Sequence, residues 1–340
     1  MDKMFLNSDL ITEILGRVDG ITLANAGCAS SHFRSIARQE NIWEEACYSM
    51  WPSTKNPYIK QLISSSLGGF RNFYASCFPF IAYDETSESN PRCNWLKTLG
   101  DANPSDFVFL VDVQYKNKLI YSQVLWGIPA TEDFEGWFSN CPFRIDLIEF
   151  DEDHTSLDEL TTIVPDKPRK GSEFWMHLME NIKLSWILIN KITGKAANLS
   201  SWSPLVGQRH WPSDKDSVIC FGSIIPAYSI LPCKAVQCKF VMKFRASQSD
   251  HTNLKITELS MQMEDIMGDH VNGRNSLLIL ERALYCRRSK RQKKVLESCE
   301  KYLRERSTLK EAKMRKECHL DILFTLTGIV AYASVCYFIF

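Results

Sequence analysis

The chain has 340 residues, enough for about two domains of ordinary size, and its 45% hydrophobic and 24% charged residues are typical of a globular protein. Its twelve cysteines are scattered without a CxxC pair, which excludes a disulfide framework and a zinc-finger pattern. The net charge is zero, but the stretch from Arg282 to Lys316 holds fourteen basic and four acidic residues, so the remainder of the chain carries −10. Such segregation of charge indicates separate modules.

The first fifty residues predict a small helical unit. Apolar side chains recur there at steps of three and four residues, at Leu10, Ile11, Ile14, Leu15 and Val18. We expect Ser8 or Asn7 to cap this helix, Asp19-Gly20 to end it and Thr22 to cap a second one. Two more short helices follow, and the whole unit of about 45 residues is too small to bury much surface alone. A partner surface would therefore stabilise it.

Residues 51–104 predict a helical connector that ends in a polar, turn-rich loop from residue 83 onwards. The period then changes to that of strands over residues 105–275. The runs "FVFLVDV" and "KLIYSQVLW" flank a polar turn and predict a hairpin. We therefore expect a β-sandwich or barrel-like domain after the connector.

Two later segments support this β-rich domain. "AVQCKFVMKFR" (235–245) places polar side chains at Gln237, Lys239, Lys243 and Arg245 on one face, and it places five apolar side chains on the other: Val236, Cys238, Phe240, Met242 and Phe244. "LKITELSMQM" (254–263) changes phase at Thr257-Glu258, as a β-bulge would. The segment "EFWMHLMENIKL" (173–184) predicts a helix that leads into this domain.

Residues 276–318 predict one long basic amphipathic helix, because leucines recur at helical steps and neither proline nor glycine interrupts. The segment 320–340 predicts a transmembrane anchor at the end of the chain. Ile322 to Phe340 are nineteen residues without a charge, and a helix of that length matches a hydrocarbon core of about 30 Å. The basic residues that precede it place the N-terminal side in the cytosol. The alternative is an apolar helix buried in protein, in a cytoplasmic or nuclear chain.

The N-terminal unit resembles an F-box. Its apolar and basic residues fall as in that family: Leu6, Leu10, Ile11, Ile14, Leu15, Arg17, Val18, Asp19, Leu23, Ala29, Phe33, Arg34, Ile36, Ala37 and Trp43. The run "ITEILGRVDGITLANAGCASSHFRSIARQENIWEEAC" is most similar to one group of plant F-box proteins, and so are "GFRNFYASCFPF" and "WILINKITGKAANLSSW" further along. The resemblance departs at Asn7, where the family usually has proline, and at Ser31-His32, where a basic residue is common.

The resemblance implies a partner and a role. The F-box of this family docks on a Skp-type adaptor, which joins it to the cullin and RING subunits of a ubiquitin ligase, while the rest of the chain presents a protein substrate. The resemblance gives the unit 5–50 as the F-box. The residues that we expect to form its shared core and adaptor contact are Leu6, Leu10, Ile14, Leu15, Leu23, Phe33 and Trp43.

Catalytic and cofactor chemistry finds little support in the sequence. Gly194-Lys195 lacks the earlier glycine of a phosphate-binding loop, and the acidic run at 149–159 lacks EF-hand spacing. Sugar stacking is an open alternative for four tryptophans, which are more often core residues: Trp175, Trp186, Trp202 and Trp211. The basic helix directly before an apolar span favours anionic lipid over nucleic acid as its partner.

Together these patterns predict an α+β protein with a small N-terminal helical F-box, a β-rich sandwich-like middle domain and a long C-terminal helix that ends in a transmembrane helix. The expected function is that of a non-catalytic substrate-recognition subunit of a Skp–cullin–F-box ubiquitin ligase at a cytosol-facing membrane, without metal or cofactor. The alternative is a membrane-tethered, lectin-like binding protein that does not engage the ligase. The sequence does not identify the substrate.

Overall fold

The structure is a computed structural model of the chain. It describes seven segments, which are residues 8–83, 103–128, 137–148, 162–165, 172–209, 216–246 and 253–339.

The N-terminal region is helical, as the sequence predicts. Its helices are α1 (Ser8–Leu15), α2 (Gly20–Ala29), α3 (Ser31–Ile36) and α4 (Glu40–Met50). The cap of α2 is Asp19 rather than Thr22, since the Asp19 carboxylate accepts the backbone N–H groups of Ile21 and Thr22. These two bonds satisfy donors that the first turn leaves without a partner in the helix.

The connector is helical as well. After a 3₁₀ turn at Pro52–Lys55 come α5 (Pro57–Ser66) and α6 (Phe70–Cys77). Two further helices belong to the β-rich region, α7 (Trp137–Asn140) and α8 (Ser172–Asn181). The polar loop that we predict from residue 83 lies almost wholly outside the described residues, as does the acidic run at 149–159.

The strands run through the middle of the chain. In chain order the described strands are β1 (Phe80–Ile81), β2 (Phe107–Tyr115), β3 (Lys118–Trp126), β4 (Arg144–Ile148), β5 (Thr162–Ile163), β6 (Ile182–Asn190), β7 (Lys195–Asn198), β8 (Val206–Arg209), β9 (Asp216–Pro226), β10 (Ala235–Ala246), β11 (Leu254–Glu264) and β12 (Arg288–Ser289).

They form two large antiparallel sheets and one small pair. One sheet has the order β3-β2-β6-β7, and the other has the order β4-β11-β10-β9-β8 with β5 beside β11. The predicted hairpin is β2–β3. The predicted bulge is confirmed, because the β10–β11 register shifts so that Lys243 pairs with Glu258 and Phe244 with Ile256. Thr257 is the extra residue.

The two sheets face each other across one hydrophobic core, which confirms the sandwich-like domain. Phe109 and Trp186 come from the first sheet and Phe240 from the second, and all three are fully buried. The rings of Trp186 and Phe240 lie 5.0 Å apart between centroids. The five alternating apolar residues of β10 all belong to this core.

The opposite face of the four-stranded sheet is covered by the N-terminal helices. Val108 and Leu110 of β2, with Ile187 and Ile189 of β6, share a core cluster with α1 to α6. Because β2 is therefore buried on both faces, all nine of its residues are buried. The helical unit thus finds the stabilising surface that its small size requires within its own chain.

The C-terminal region differs from the single basic helix predicted over 276–318. It contains α9 (Gly273–Ala283) and α10 (Gln292–Ile339), separated by β12. Between these helices the chain is extended, and Arg288 pairs with Ile81 and Ser289 with Phe80 of β1. The Arg288 guanidinium also donates to the backbone oxygens of Ser76 and Leu284. The contacts with β1 and with Ser76 are long-range, and they accompany a break in the helix that has neither proline nor glycine.

Candidate functional site

The first helix divides its apolar residues between core and solvent. Ile11 and Leu15 are buried in the N-terminal core. Leu10 and Ile14, four residues apart and so on one face of the helix, are 49% and 48% exposed. Large apolar side chains on a solvent-facing helix stripe indicate a surface that another protein covers.

The other predicted contact residues are mainly core. Leu23 and Trp43 are buried, and the Trp43 indole N–H donates to the carbonyl oxygen of Ala37 at 2.8 Å. Phe33 is half-buried against the same core, while Leu6 lies outside the described residues.

Ile21 is an exposed residue that the sequence reasoning missed. Its side chain is 45% exposed at the start of α2. Its position relative to Leu23 could have revealed it. Side chains two positions apart in a helix point to nearly opposite sides, and Leu23 is a core residue. Ile21 therefore joins Leu10 and Ile14 as an exposed apolar side chain of the N-terminal helices.

A groove of about 640 Å³ lies between α2, α3 and α6, and Ile21 is part of its wall. Its floor is partly aromatic, with Trp43, Tyr74 and Phe78. Its lining includes four cationic residues and no carboxylate, and the cations are Arg34, Arg38, Arg71 and Lys290. An apolar floor with a cationic rim fits an amphipathic helix that carries acidic residues.

Comparison with known proteins decides the family. The family model for the F-box domain matches residues 5–45. F-box protein At2g27310 of Arabidopsis thaliana is 30% identical over 340 residues, which cover 98% of this chain and 95% of that protein. This chain belongs to the F-box proteins.

Two further relatives have similar extent. Probable F-box protein At2g36090 is 30% identical and covers 98% of this chain and 92% of its own length. F-box protein At3g44326 is 31% identical, and the match covers 92% of this chain and 82% of that protein. Both come from Arabidopsis thaliana, and no solved structure matches the chain. F-box proteins generally serve as substrate receptors of Skp–cullin–F-box ubiquitin ligases.

In this F-box protein, the 3₁₀ turn that follows the four-helix unit is joined to the sandwich by a buried polar contact. The Asp112 carboxylate on β2 accepts the backbone N–H of Ser53 at 2.9 Å and its hydroxyl at 2.6 Å. The Ser122 hydroxyl donates to the same carboxylate at 2.7 Å. Burial raises the pKa of Asp112 to about 6, and the hydrogen bonds from Ser53 and Ser122 oppose that rise.

The first part of α10 is docked on the second sheet. Val295, Cys299 and Tyr302 are buried against it. The Arg306 guanidinium then donates to Glu264 at 2.7 Å. Burial works to raise the pKa of Glu264, but the bonds and charges of Arg306 and Lys239 outweigh burial and hold that pKa below its usual value.

The last part of α10 contacts little else among the described residues. It is long and apolar enough to cross a membrane, and none of its most apolar window is buried within the protein. Phe324 and Phe338 are 72% and 84% exposed. Burial of this segment in the chain's own core is therefore excluded for the described residues, while Phe340 lies outside them.

Metal ligands and sugar-stacking tryptophans are the remaining site candidates from the sequence. No group of three or more His, Cys, Asp and Glu residues that could hold a metal ion occurs within the described segments. Trp186 is fully buried and cannot stack on a sugar, and Trp175 and Trp202 are half-buried. Trp211 lies outside the described residues.

Proposed function

We propose that this F-box protein is a non-catalytic substrate-recognition subunit of a Skp–cullin–F-box ubiquitin ligase and that α10 holds it at a cytosol-facing membrane. The observation that carries the first half is that the F-box helices leave three large apolar side chains about half exposed, those of Leu10, Ile14 and Ile21. These side chains stay exposed although the same helices contribute other apolar residues to a buried core that they share with the sheet. A Skp-type adaptor would cover them and, through the cullin and RING subunits, bring a ubiquitin-charged enzyme close to the substrate.

The cationic groove beside Ile21 supports the same partner. An adaptor helix with acidic residues would place its apolar side on Trp43, Tyr74 and Phe78 and its carboxylates near the rim arginines. The predicted contacts Leu15, Leu23 and Trp43 then serve the interface indirectly, by holding the exposed residues in place.

The test is binding of a purified Skp-type adaptor to the full-length protein in detergent. We expect Ile14→Asp to abolish capture, because an unpaired carboxylate would be buried in the interface. Ile192→Asp is the matched control, since Ile192 is 75% exposed in the turn between β6 and β7 and far from the F-box in sequence. Leu15→Asp should unfold the F-box, because Leu15 is core, and circular dichroism would show it.

The outcomes separate the two functions under consideration. Capture that Ile14→Asp abolishes and Ile192→Asp retains supports a ligase subunit. A folded wild-type protein that fails to bind the adaptor would contradict that proposal and leave a membrane-tethered binding protein.

The membrane half of the proposal rests on the exposed apolar segment of α10 and the charges that precede it. Lys310, Lys313, Arg315 and Lys316 lie just before Ile322, which favours a cytosolic location for everything N-terminal to the span. The same cations would contact anionic headgroups. Protein on isolated membranes should resist carbonate extraction, and protease should digest the F-box without permeabilisation. Release by carbonate, or protection of the F-box, would refute the span or its orientation.

A further inference from the structure

We propose that β3, the edge strand of the four-stranded sheet, binds an extended acidic segment of a protein by strand addition, with Tyr58 and Trp126 as its aromatic contacts. The identification of that protein as a ligase substrate rests on the proposed function. The binding surface itself does not depend on that function.

The register of the sheet shows which backbone groups of β3 face outwards. β3 is the first strand of the order β3-β2-β6-β7, and among the described residues it pairs only with β2. The Gly127 N–H donates to the Phe107 oxygen at 2.8 Å, so residues 121, 123 and 125, at alternate positions, direct their backbone groups to β2. The N–H and C=O groups of residues 122, 124 and 126 are therefore directed to the open edge.

The side chains beside that edge form an aromatic surface. Trp126 pairs with Val108 and Val124 with Leu110, so both lie on the face that the N-terminal helices cover. Tyr58 of α5 contacts Trp126 edge-to-face, with 6.4 Å between ring centroids. Their side chains are 72% and 48% exposed. A strand added about 4.8 Å from β3 would place alternate side chains next to this pair.

The charge around β3 indicates an acidic partner. From Asn117 to Gly127 the chain contains no acidic residue, and Lys118 begins the strand. The 3₁₀ turn that contacts β3 adds the exposed Lys55. An extended segment with acidic residues at its ends and apolar residues between would satisfy the open backbone groups, the aromatic pair and the lysines together.

The location of the edge suits substrate recognition. Ser122 of β3 and Ser53 of the F-box side bond the same buried carboxylate of Asp112. A segment bound to β3 would therefore be held in a fixed relation to the F-box, on a rigid part of the protein. Such rigidity favours repeated presentation of one region of the substrate to the enzyme that carries ubiquitin.

The test uses the full-length protein in lipid nanodiscs and a displayed library of random twelve-residue peptides. We expect selected peptides to be acidic, with alternating β-branched or aromatic residues. The binding of one selected peptide is then measured by fluorescence anisotropy. Tyr58→Ala, Lys118→Glu and Val124→Pro should each weaken it about tenfold or more, because they remove an aromatic contact, reverse a charge and remove an outward N–H. Ile192→Ala, which truncates an exposed apolar residue elsewhere, should leave it unchanged.

Each result has a defined meaning. Since Val124→Pro could disturb folding, Tyr58→Ala and Lys118→Glu carry the decision, and an unchanged affinity in both would overturn the proposal. If wild-type protein that binds the adaptor selects no peptide from the library, strand addition at β3 is overturned while the proposed function stands. Peptide binding without adaptor binding would support strand addition at β3 and contradict the ligase role. Self-association that Val124→Pro abolishes would assign the edge to a second copy and overturn the proposal.

Discussion

The hydroxyl of Ser53 donates a 2.6 Å hydrogen bond to the carboxylate of Asp112, and this contact joins the F-box side of the molecule to the β-sandwich. The carboxylate is only 1% exposed. Around it, Gln114 donates to the carbonyl oxygen of Met50, which adds a second polar contact across the same boundary. The F-box and the sheet therefore share one interior, so the F-box and the β-rich part should unfold together.

Ser53→Ala tests this contact. Because the folded pKa of Asp112, about 6, lies above its usual value, the carboxyl's own contribution to stability is greatest at acid pH and is lost as the pH rises through about 6. The donated bonds offset that loss when Asp112 is charged. We expect Ser53→Ala to lower the free energy of unfolding by about 2 kcal/mol at pH 7.5 and by less at pH 5.

Urea denaturation at the two pH values measures the effect of Ser53→Ala. Ser64→Ala is the control, since the exposed Ser64 hydroxyl bonds only Lys60 within its own helix. Equal losses for Ser53→Ala at pH 5 and pH 7.5 would mean that the bond does not serve the charged carboxylate.

Arg306→Ala should loosen α10 from the sheet. Its guanidinium bonds both Glu264 and Gln237 and its side chain is largely buried, so its loss should cost about 2 kcal/mol of stability. Because the pKa of Glu264 is lowered, the stabilisation is present at neutral pH and is lost as the pH falls through that pKa. Arg304→Ala, two residues away, removes exposed contacts with Glu300 of the same helix and should cost little.

Hydrogen exchange of the amides between residues 292 and 306 would detect the loosening. Faster exchange in Arg306→Ala, with wild-type exchange in Arg304→Ala, is the expected result. Identical exchange in both variants would show that Val295, Cys299 and Tyr302 hold the helix without the ion pair.

Arg71→Glu should slow the association of the adaptor. A carboxylate on the cationic rim of the groove would repel the acidic partner, and the association rate should fall about 3- to 10-fold at low salt. Stopped-flow measurements at two salt concentrations would show a weaker salt dependence as well. Lys313→Glu, on the exposed part of α10, is the matched charge reversal. An equal effect of both variants would indicate attraction by overall charge rather than by the groove.

Thiol labelling of the protein in sealed vesicles should map both core and membrane. Burial raises the pKa of the Cys47 and Cys238 thiols far above its usual value, so these residues should not react in the folded state. The exposed Cys28 and Cys318 should react from outside with an impermeant maleimide, while Cys336 in the proposed span should stay protected. Mass spectrometry assigns the sites. Protection of Cys318 before permeabilisation, or rapid labelling of Cys336, would contradict the membrane orientation or the span.

The sequence predicted those parts of the fold that depend on local pattern. The alternation of β10 and the phase change at Thr257 were sufficient for a strand and a bulge, because both express the two-residue period of a sheet. The break before α10 was not predictable. It depends on Arg288, whose partners Ser76 and Ile81 lie more than 200 residues away in the chain.

The candidate site was predicted only in part for a similar reason. Helical spacing identified Leu10, Ile14 and Leu15 as apolar, but it does not state which of them faces the core and which faces a partner. That division is made by tertiary packing, since Ile11 and Leu15 join the hydrophobic cluster of the N-terminal helices while Leu10 and Ile14 stay about half exposed. Prediction of the contact between Ser53 and Asp112 would likewise have required the tertiary arrangement.

The central claim is that one chain connects a Skp-type adaptor to a membrane. Flotation of vesicles that carry the full-length protein, mixed with purified adaptor, tests it most directly. The adaptor should rise with vesicles that carry wild-type protein or Ile192→Asp and should stay at the bottom of the gradient with Ile14→Asp. An adaptor that stays at the bottom although folded wild-type protein floats would contradict the ligase role, and wild-type protein that does not float would contradict the anchor.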